Sequence, residues 1–310
     1  MALWLIGGCL IFLLTAAFVV IVVAIFLVGD DSLLAEETAP QTVLEENICF
    51  EGELFNEEEQ ICTLDISCSS PDECATWGDK VIADLEGIYG PLDDYTIVED
   101  TLTPEEIIYR YEIEDNIVLE DIVEDYSWQW YSFDWMTPDE MTTMIDSVEI
   151  FEGNETNAYV KVAGGTSATL GLNAKPFIPS ETIQNNLHEL AHLFSLTPDE
   201  VDYSIEKEYC WTNYTEEGGC FYVDSYLYKF YDRFWLPKYE ETSEYYLSEY
   251  ATTHEQEDFA ESFMYFVLYP KPTGNTVAER KILFFYEYEE MVMLRAELLA
   301  RIATWLPRAG

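Results

Sequence analysis

In the stretch Asn185-Asn186-Leu187-His188-Glu189-Leu190-Ala191-His192-Leu193-Phe194, two of the chain's three histidines lie four residues apart, and Glu189 directly follows the first. Residues four apart share one face of an α-helix, so the imidazoles of His188 and His192 can reach a single metal ion. Glu189 would lie close enough to contact a water molecule bound to that metal. The H-E-x-x-H pattern therefore predicts a metal-binding helix.

The neighbouring residues also predict this helix. Pro179 and Ser180 are a start signal, and neither Pro nor Gly follows before Pro198. Apolar residues at helical spacing would face a core, namely Ile183, Leu187, Leu190, Ala191 and Phe194. One side would then be anchored while both histidines face a neighbouring cleft. The alternative is a pair of satisfied surface histidines on an amphipathic helix.

A catalytic zinc site needs a third protein ligand and leaves its fourth position to water. In the metzincin class of H-E-x-x-H proteins, Gly and His follow the second histidine by three and six residues. Those positions hold Ser195 and Pro198 here, which excludes that class. The third ligand must be an acidic residue or a histidine on a later helix.

A later segment offers such ligands, Tyr250-Ala-Thr-Thr-His254-Glu255-Gln256-Glu257-Asp258-Phe259-Ala260-Glu261-Ser262-Phe263. Its carboxylates Glu257 and Glu261 are one helical turn apart, and its phenylalanines supply an apolar face. One carboxylate can bind the metal, while the other accepts a hydrogen bond from the free N–H of a metal-bound histidine.

Together the two motifs resemble those of gluzincin-type zinc metallopeptidases, including the catalytic domain of anthrax lethal factor. The second signature of that group is a Tyr, followed seven residues later by Glu-aromatic-aromatic-Ala-Glu-small-Phe. This chain has Tyr250 and then Glu257-Asp258-Phe259-Ala260-Glu261-Ser262-Phe263, with Asp258 in place of one aromatic residue. The resemblance covers residues 188–263, and the span between the motifs is longer than in lethal factor.

The resemblance implies a zincin-like α+β domain with an active-site helix and a small mixed sheet. It implies that Zn²⁺ is held by His188, His192 and Glu257. Glu261 would be the hydrogen-bond partner of a ligand, and Tyr250 would be the phenol that stabilises the oxyanion.

Two other residues of the second motif are alternatives. Asp258 would be the ligand in an aspartate-type zincin, although the signature of that group is different. His254, on the same helical face as Glu257 and Glu261, would bind metal or substrate, or would be a polar side chain at the cleft edge.

Alternation of apolar and polar residues predicts strands at 147–152 and 158–163, and residues 168–173 would add another. Zinc peptidases of this kind typically have a strand beside the cleft, with which an extended substrate pairs through main-chain hydrogen bonds. By the resemblance, the strand near residues 168–173 is the candidate, unless all three are ordinary sheet strands.

The N-terminus predicts a membrane anchor. No charged residue occurs from Ala2 to Gly29, a length that can cross about 30 Å of hydrocarbon. The segment lacks the basic start of a signal peptide and runs directly into Asp30 and Asp31, so we expect one uncleaved transmembrane helix, with cleavage as the alternative.

Cysteine usage indicates the compartment. Six cysteines follow Cys9: Cys49, Cys62, Cys68, Cys74, Cys210 and Cys220. An even number outside the anchor suggests disulfides and an extracytoplasmic, oxidising location, at the cell surface or exported. Close spacing favours Cys210–Cys220, and the other four would pair in one of three ways. The Cys210–Cys220 loop would be a wall of the substrate cleft or a braced insertion.

The charge is strongly negative, with 61 acidic and 14 basic residues and a formal net charge of −47. This repels nucleic acid and anionic membrane surfaces and favours solubility, salt tolerance or basic substrates. Hydrophobic residues make up 49% and aromatic residues 15% of the chain, which argues for a folded core rather than disorder.

Four regions follow from these patterns. They are a transmembrane anchor at 1–29, an acidic juxtamembrane linker at 30–47, a cysteine-rich acidic segment at 48–75 and a zinc metallopeptidase domain at 76–310. Residues 276–306 are expected to form one long helix, whose stripe of Leu294, Leu298, Ile302 and Leu306 packs into the core.

The resulting hypothesis is a membrane-anchored, extracytoplasmic zinc metallopeptidase acting on a peptide or protein substrate. Glu189 would be the general base that takes a proton from the attacking water. The alternative, from another functional class, is a non-catalytic membrane-anchored binding ectodomain with a structural zinc. The intact Glu189 favours the enzyme.

Overall fold

The computed structural model describes residues 53–56, 61–92, 106–114, 117–118, 126–153, 157–175, 178–215, 217–237 and 245–308, all within the compact unit Cys49–Gly310. The predicted anchor at residues 1–29 and linker at 30–47 lie outside these ranges. No helix within them is both long enough and apolar enough to cross a membrane.

This part of the chain is α+β with a small mixed sheet, as predicted. Its strands are β1 (Glu53–Asn56), β2 (Ile61–Leu64), β3 (Glu106–Glu114), β4 (Ile117–Val118), β5 (Ile145–Glu152), β6 (Ala158–Ala163), β7 (Ser167–Asn173), β8 (Val201–Asp202), β9 (Tyr214–Thr215) and β10 (Gly219–Phe221). Its helices are α1 (Pro71–Tyr89), α2 (Ser127–Met136), α3 (Asp139–Thr142), α4 (Pro179–Ser195), α5 (Tyr226–Phe234), α6 (Glu255–Leu268), α7 (Val277–Phe285) and α8 (Glu289–Trp305). Short 3-10 turns lie at Lys207–Tyr209, Tyr250–Thr252 and Leu306–Arg308.

The largest sheet has the strand order β4-β3-β5-β7-β6. Strands β5 and β7 are parallel and the other neighbours are antiparallel, so the sheet is mixed. The prediction that residues 168–173 form the strand beside the cleft is wrong. Their backbone groups are paired with β5 on one side and β6 on the other, so β6 and not β7 is the edge strand on this side of the sheet among the described residues.

A row of four residues in register crosses this sheet from β3 to β6: Arg110, Glu149, Gly171 and Tyr159. Gly171 leaves room for the Tyr159 ring, because a Cβ at that position would lie 2.2 Å from it. The Tyr159 hydroxyl donates a hydrogen bond to Glu149, which also forms an ion pair with Arg110. These partners allow the Glu149 carboxylate to be buried inside a strand.

Helices α4 and α6 pack against each other through aromatic side chains. The Phe194 ring lies 4.9 Å from the Phe263 ring and 5.8 Å from the Phe259 ring, both in edge-on arrangements. All three rings belong to the main hydrophobic core, together with Leu187 and Leu190. The apolar face predicted for residues 183–194 is thus buried, and it holds the two motif-bearing helices together.

A buried arginine ties the end of α6 to the outer helices. Arg295 of α8 donates hydrogen bonds to the carbonyl oxygens of Phe266 and Tyr269 at 2.7 and 2.8 Å. Its guanidinium also pairs with Asp79 of α1 at 2.8 Å. Charge-assisted hydrogen bonds from Arg295 therefore attach the C-terminal turn of α6 to α8.

The prediction of one helix over residues 276–306 is wrong, because the chain forms two helices, α7 and α8. Between them, the backbone N–H groups of Glu287 and Tyr288 bond to the carbonyl oxygens of Phe284 and Phe285, forming a tight turn. The turn lets α7 pack on α6 while α8 packs mainly on α1. The predicted apolar stripe of α8 does pack into the core, with Leu298, Ile302 and Leu306 buried and Leu294 partly buried.

Two disulfides join described cysteines. Cys210–Cys220 is formed as predicted, and it closes the loop that contains β9 and leads into β10. Cys68–Cys74 lies at the start of α1, within the predicted cysteine-rich segment. Both bonds are consistent with an oxidising environment.

Candidate metal centre

Helix α4 presents both histidines of the first motif to one side. Pro179 occupies its first turn and Glu181 adds an acidic side chain there, both favourable at a helix start. The helix ends beyond His192, whose carbonyl oxygen accepts the backbone N–H of Leu196. Because the opposite side is buried in the core, the histidine rings are held at the cleft side.

Helix α6 begins immediately after His254 and presents the second motif. Its first turn contains the acidic residues Glu255, Glu257 and Asp258. The positive end of the helix dipole stabilises negative charge at this position. Glu257 and Glu261 lie one turn apart, as the sequence predicts, and both face α4.

The two helices bring three ligand atoms together. The Nε2 atom of His188 lies 2.8 Å from Glu257 Oε2 and 3.1 Å from His192 Nε2, and His192 Nε2 lies 3.3 Å from the same carboxylate oxygen. The ligand atoms of these residues all lie within 4.8 Å of one another. These three residues, His188, His192 and Glu257, are called the metal group below, because this buried group could hold a metal ion.

The donor set fits a divalent transition metal such as zinc. Ligands at about 2.1 Å from a tetrahedral ion lie roughly 3.4 Å apart, close to the spacing found here. Two imidazole nitrogens and one carboxylate oxygen form a set that catalytic zinc sites use. The other ring nitrogen of His188, Nδ1, lies 3.0 Å from Glu261 Oε1. A proton on Nδ1 donated to Glu261 leaves Nε2 with a lone pair for the ion.

The pKa values of the group show that it attracts positive charge. Burial opposes protonation of His188, but hydrogen bonds and charge from Glu257 and Glu261 outweigh it and hold the pKa well above its usual range. Burial also opposes protonation of His192, and the Glu257 charge again raises the pKa. For Glu257, burial is outweighed by the charge of His192 and the hydrogen bond with His188, so its pKa is well below normal.

The group lines a cleft whose enclosed space is about 50 Å³. Glu189 and Tyr250 line the same cleft, and the Tyr250 ring lies 5.6 Å from the His188 ring, centroid to centroid. Edge strand β6 contributes Ala158, Tyr159 and Val160 to one wall. The catalytic residues predicted from sequence thus share one cavity with the metal group.

The two alternative ligands have different surroundings. The Nε2 atom of His254 lies 3.4 Å from Glu257 Oε1, and its partly exposed ring lines the cleft. Asp258 instead faces away from the metal group, and its Oδ2 lies 2.7 Å from the Nζ of Lys281. The structure therefore does not bring Asp258 to the three ligand atoms.

Sequence reasoning missed Glu217 and Gln256, which also line the cleft. Glu217 lies in the Cys210–Cys220 loop, so this loop does contribute to a cleft wall. Nothing in the sequence distinguishes Glu217 among 61 acidic residues. Only the folding of its hairpin toward α4 and α6 brings it to the metal group.

Searches of protein-family models, of curated proteins and of solved structures find no match to this chain. The likeness to gluzincins thus rests on two sequence motifs, and it stays a prediction.

Proposed function

We propose that the chain is a zinc-dependent peptidase. One observation carries this proposal: His188, His192 and Glu257 converge on a single point in a cleft that Glu189 and Tyr250 also line. A purely structural metal site would be closed by a fourth protein ligand. In the described part of the chain, this group consists of three residues, and all three line the cleft.

In the proposed mechanism, His188, His192 and Glu257 hold the ion. When bound, zinc would lower the pKa of a water molecule and polarise the substrate carbonyl. Glu189 accepts the proton as the water attacks and then delivers it to the leaving amine. The Tyr250 hydroxyl donates a hydrogen bond to the oxyanion that develops on the substrate. Glu261 keeps the His188 ring in the tautomer and orientation that bind metal.

We further propose that an extended peptide pairs with edge strand β6. Ala158 and Val160 of this strand line the cleft, and no other described strand pairs with its outer edge. Such an edge offers backbone N–H and C=O groups to a substrate in β conformation. Because β7 is already paired on both sides, it is not available for this role.

The proposed location is a membrane, through the apolar residues 1–29, with the peptidase domain outside the cytoplasm. The two disulfides support an oxidising compartment, and the net charge of −47 argues against nucleic acid as a partner.

Metal content and peptide cleavage test the proposal together. Full-length protein in mild detergent should bind about one zinc per chain, and the His188→Ala variant should lose it. Glu189→Gln should keep zinc while cleavage of a randomised peptide pool, read by mass spectrometry, falls by about 10⁴-fold or more. Cleavage that persists in Glu189→Gln would exclude this base. Zinc binding without any cleavage by the wild type would support the non-catalytic ectodomain with a structural zinc instead.

A further inference from the structure

The hairpin formed by β9 and β10 contributes a carboxylate to the cleft. Glu217 lines the same cavity as the metal group, and its Oε2 atom is buried with no hydrogen-bond partner among the described residues. No Lys or Arg is among the described residues that line this cavity. A buried carboxylate oxygen without a partner is energetically costly, so a cation that enters the cleft gains by meeting it.

The hairpin has a defined position relative to the metal group. The disulfide Cys210–Cys220 closes its base, and Gly218 allows its turn with a φ of 90°. The Asn213 amide donates a hydrogen bond of 2.5 Å to Glu255, the first residue of α6. The hairpin is therefore attached to the helix that carries Glu257.

A second attachment leads to α4. The Tyr203 hydroxyl donates a hydrogen bond of 2.7 Å to the Leu196 carbonyl oxygen at the end of that helix. The Tyr203 ring packs over Gly219 of β10 and over Gly165 in the β6–β7 turn, where a Cβ would lie 3.1 and 2.3 Å from the ring. The hairpin that carries Glu217 is thus attached to α6 and packs, through Tyr203, near the end of α4 and the β6–β7 turn.

We propose that Glu217 selects substrates with a Lys or Arg side chain close to the scissile bond, because Glu217 and the metal group line one cavity. This inference rests on the proposed peptidase function. A substrate ammonium or guanidinium would pair with the Glu217 carboxylate while the peptide backbone lies along β6. The acidic cleft would disfavour an acidic side chain at the same position.

Matched peptides test this selection on the full-length, zinc-loaded protein. A position-scanned series with Lys, Nε-acetyl-lysine, Gln or Glu at each position near the cleavage point isolates the charge. For the wild type, kcat/KM for the Lys peptide should exceed that for Gln by about tenfold or more at one position. Acetylation of the Lys, which keeps its length but removes its charge, should cost the same factor.

Variants identify the residue responsible. Glu217→Gln should reduce the preference for Lys to within about twofold, and Glu217→Lys should reverse it in favour of Glu. Glu208→Gln, at an exposed carboxylate near the same disulfide, is the matched control and should keep the wild-type preference. If Glu217→Gln unfolds at a much lower temperature than the wild type, its kinetics cannot be compared. The rates of the wild type on the Lys and acetyl-lysine peptides then still test whether the charge of the substrate is selected.

The failures are distinguishable. If the wild type cleaves peptides equally well with Lys, acetyl-lysine and Gln at every position, the selection is overturned while the peptidase function stands. A preference for Lys that survives in Glu217→Gln also overturns the role of Glu217. If the zinc-loaded wild type cleaves no peptide of the pool, the proposed function fails and this inference fails with it.

Discussion

Glu257 and Asp258 are consecutive buried carboxylates in the first turn of α6, yet they contact different groups on different sides of the helix. Glu257 faces the cleft, where its Oε2 lies 2.8 Å from His188 Nε2. Asp258 faces the interior, where its Oδ2 lies 2.7 Å from Lys281 Nζ and 2.8 Å from Trp235 Nε1. Successive helix residues point about 100° apart, so one side chain reaches α4 and the other reaches α7.

The surroundings decide what each carboxylate can do. Glu257 lies among imidazole nitrogens beside an open cleft, so an ion can join it. Asp258 is already neutralised by a buried ammonium group. Burial raises the pKa of Asp258 to about 6 and lowers the pKa of Lys281, so desolvation outweighs attraction within this pair. One helix thus carries a candidate ligand on one face and a structural ion pair on another.

The largest expected effect is on metal binding. Glu257→Gln removes the negative ligand but keeps the side-chain volume. We expect zinc affinity to fall by about a thousandfold or more, beyond the 10- to 100-fold typical for loss of an outer partner. Competition with a chromophoric chelator measures this. Asp258→Asn is the matched control and should change the affinity by no more than about threefold; the opposite order would make Asp258 the ligand.

The second prediction concerns stability. Here Asp258 is the residue expected to matter, whereas it was the control for metal binding. Asp258→Asn leaves Lys281 buried without a counter-charge, and the free energy of unfolding should fall by about 3 kcal/mol. Urea denaturation measures the loss. Replacing both partners, Asp258→Leu with Lys281→Met, should recover most of it, because no uncompensated charge remains. A single variant as stable as the wild type would show that the ion pair is not formed.

A smaller effect is expected at Glu261, which contacts the metal group through the Nδ1 atom of His188. Glu261→Gln keeps an oxygen that can accept the Nδ1 proton, so zinc affinity should fall only about tenfold. Glu261→Ala removes that acceptor and should weaken binding further. If both variants bind zinc as tightly as the wild type, Glu261 does not orient His188.

The smallest effect is expected at a fourth carboxylate, Glu200, which accepts a backbone hydrogen bond of 2.6 Å from Tyr226. Burial raises its pKa from 4.5 to about 7. The folded state therefore holds the proton more tightly, and this group's contribution to stability is lost as pH rises from 4.5 to about 7.

Glu200→Gln stays neutral at every pH, so it should match the wild type near pH 4 and be more stable at pH 8. Because Glu200 is partly exposed, solvent screening reduces the difference to about 1 kcal/mol. Urea denaturation at both pH values measures it, with the exposed Glu208→Gln as control. A variant less stable than the wild type at pH 8 would contradict the raised pKa.

The helix that carries His188 and His192 and its cleft side were predictable because the information is local. The spacing of His188 and His192 follows helix periodicity, and the proline at position 179 marks the helix start. The same holds for the Cys210–Cys220 disulfide, which closes a short loop. The pairing of Glu257 with this site required comparison with a family motif, because 65 residues separate it from His192.

Other features depend on long-range packing. The edge position of β6 follows from the pairing of β7 with β5, which no local pattern encodes. The break between α7 and α8 accompanies a change of packing partner, since α7 packs on α6 and α8 packs mainly on α1. The position of Glu217 also depends on long-range packing, because the attachments of its hairpin bring it to the cleft.

The sequence by itself determined a helix that presents two imidazoles and a carboxylate, because side chains at fixed spacing on a hydrogen-bonded helix share a face whatever surrounds them. Only the tertiary structure decided that Glu257 meets those imidazoles while Asp258 meets Lys281. It also decided which strand borders the cleft and that Glu217 joins it. These choices depend on contacts between segments distant in sequence, where burial and partner charges determine the role of each carboxylate.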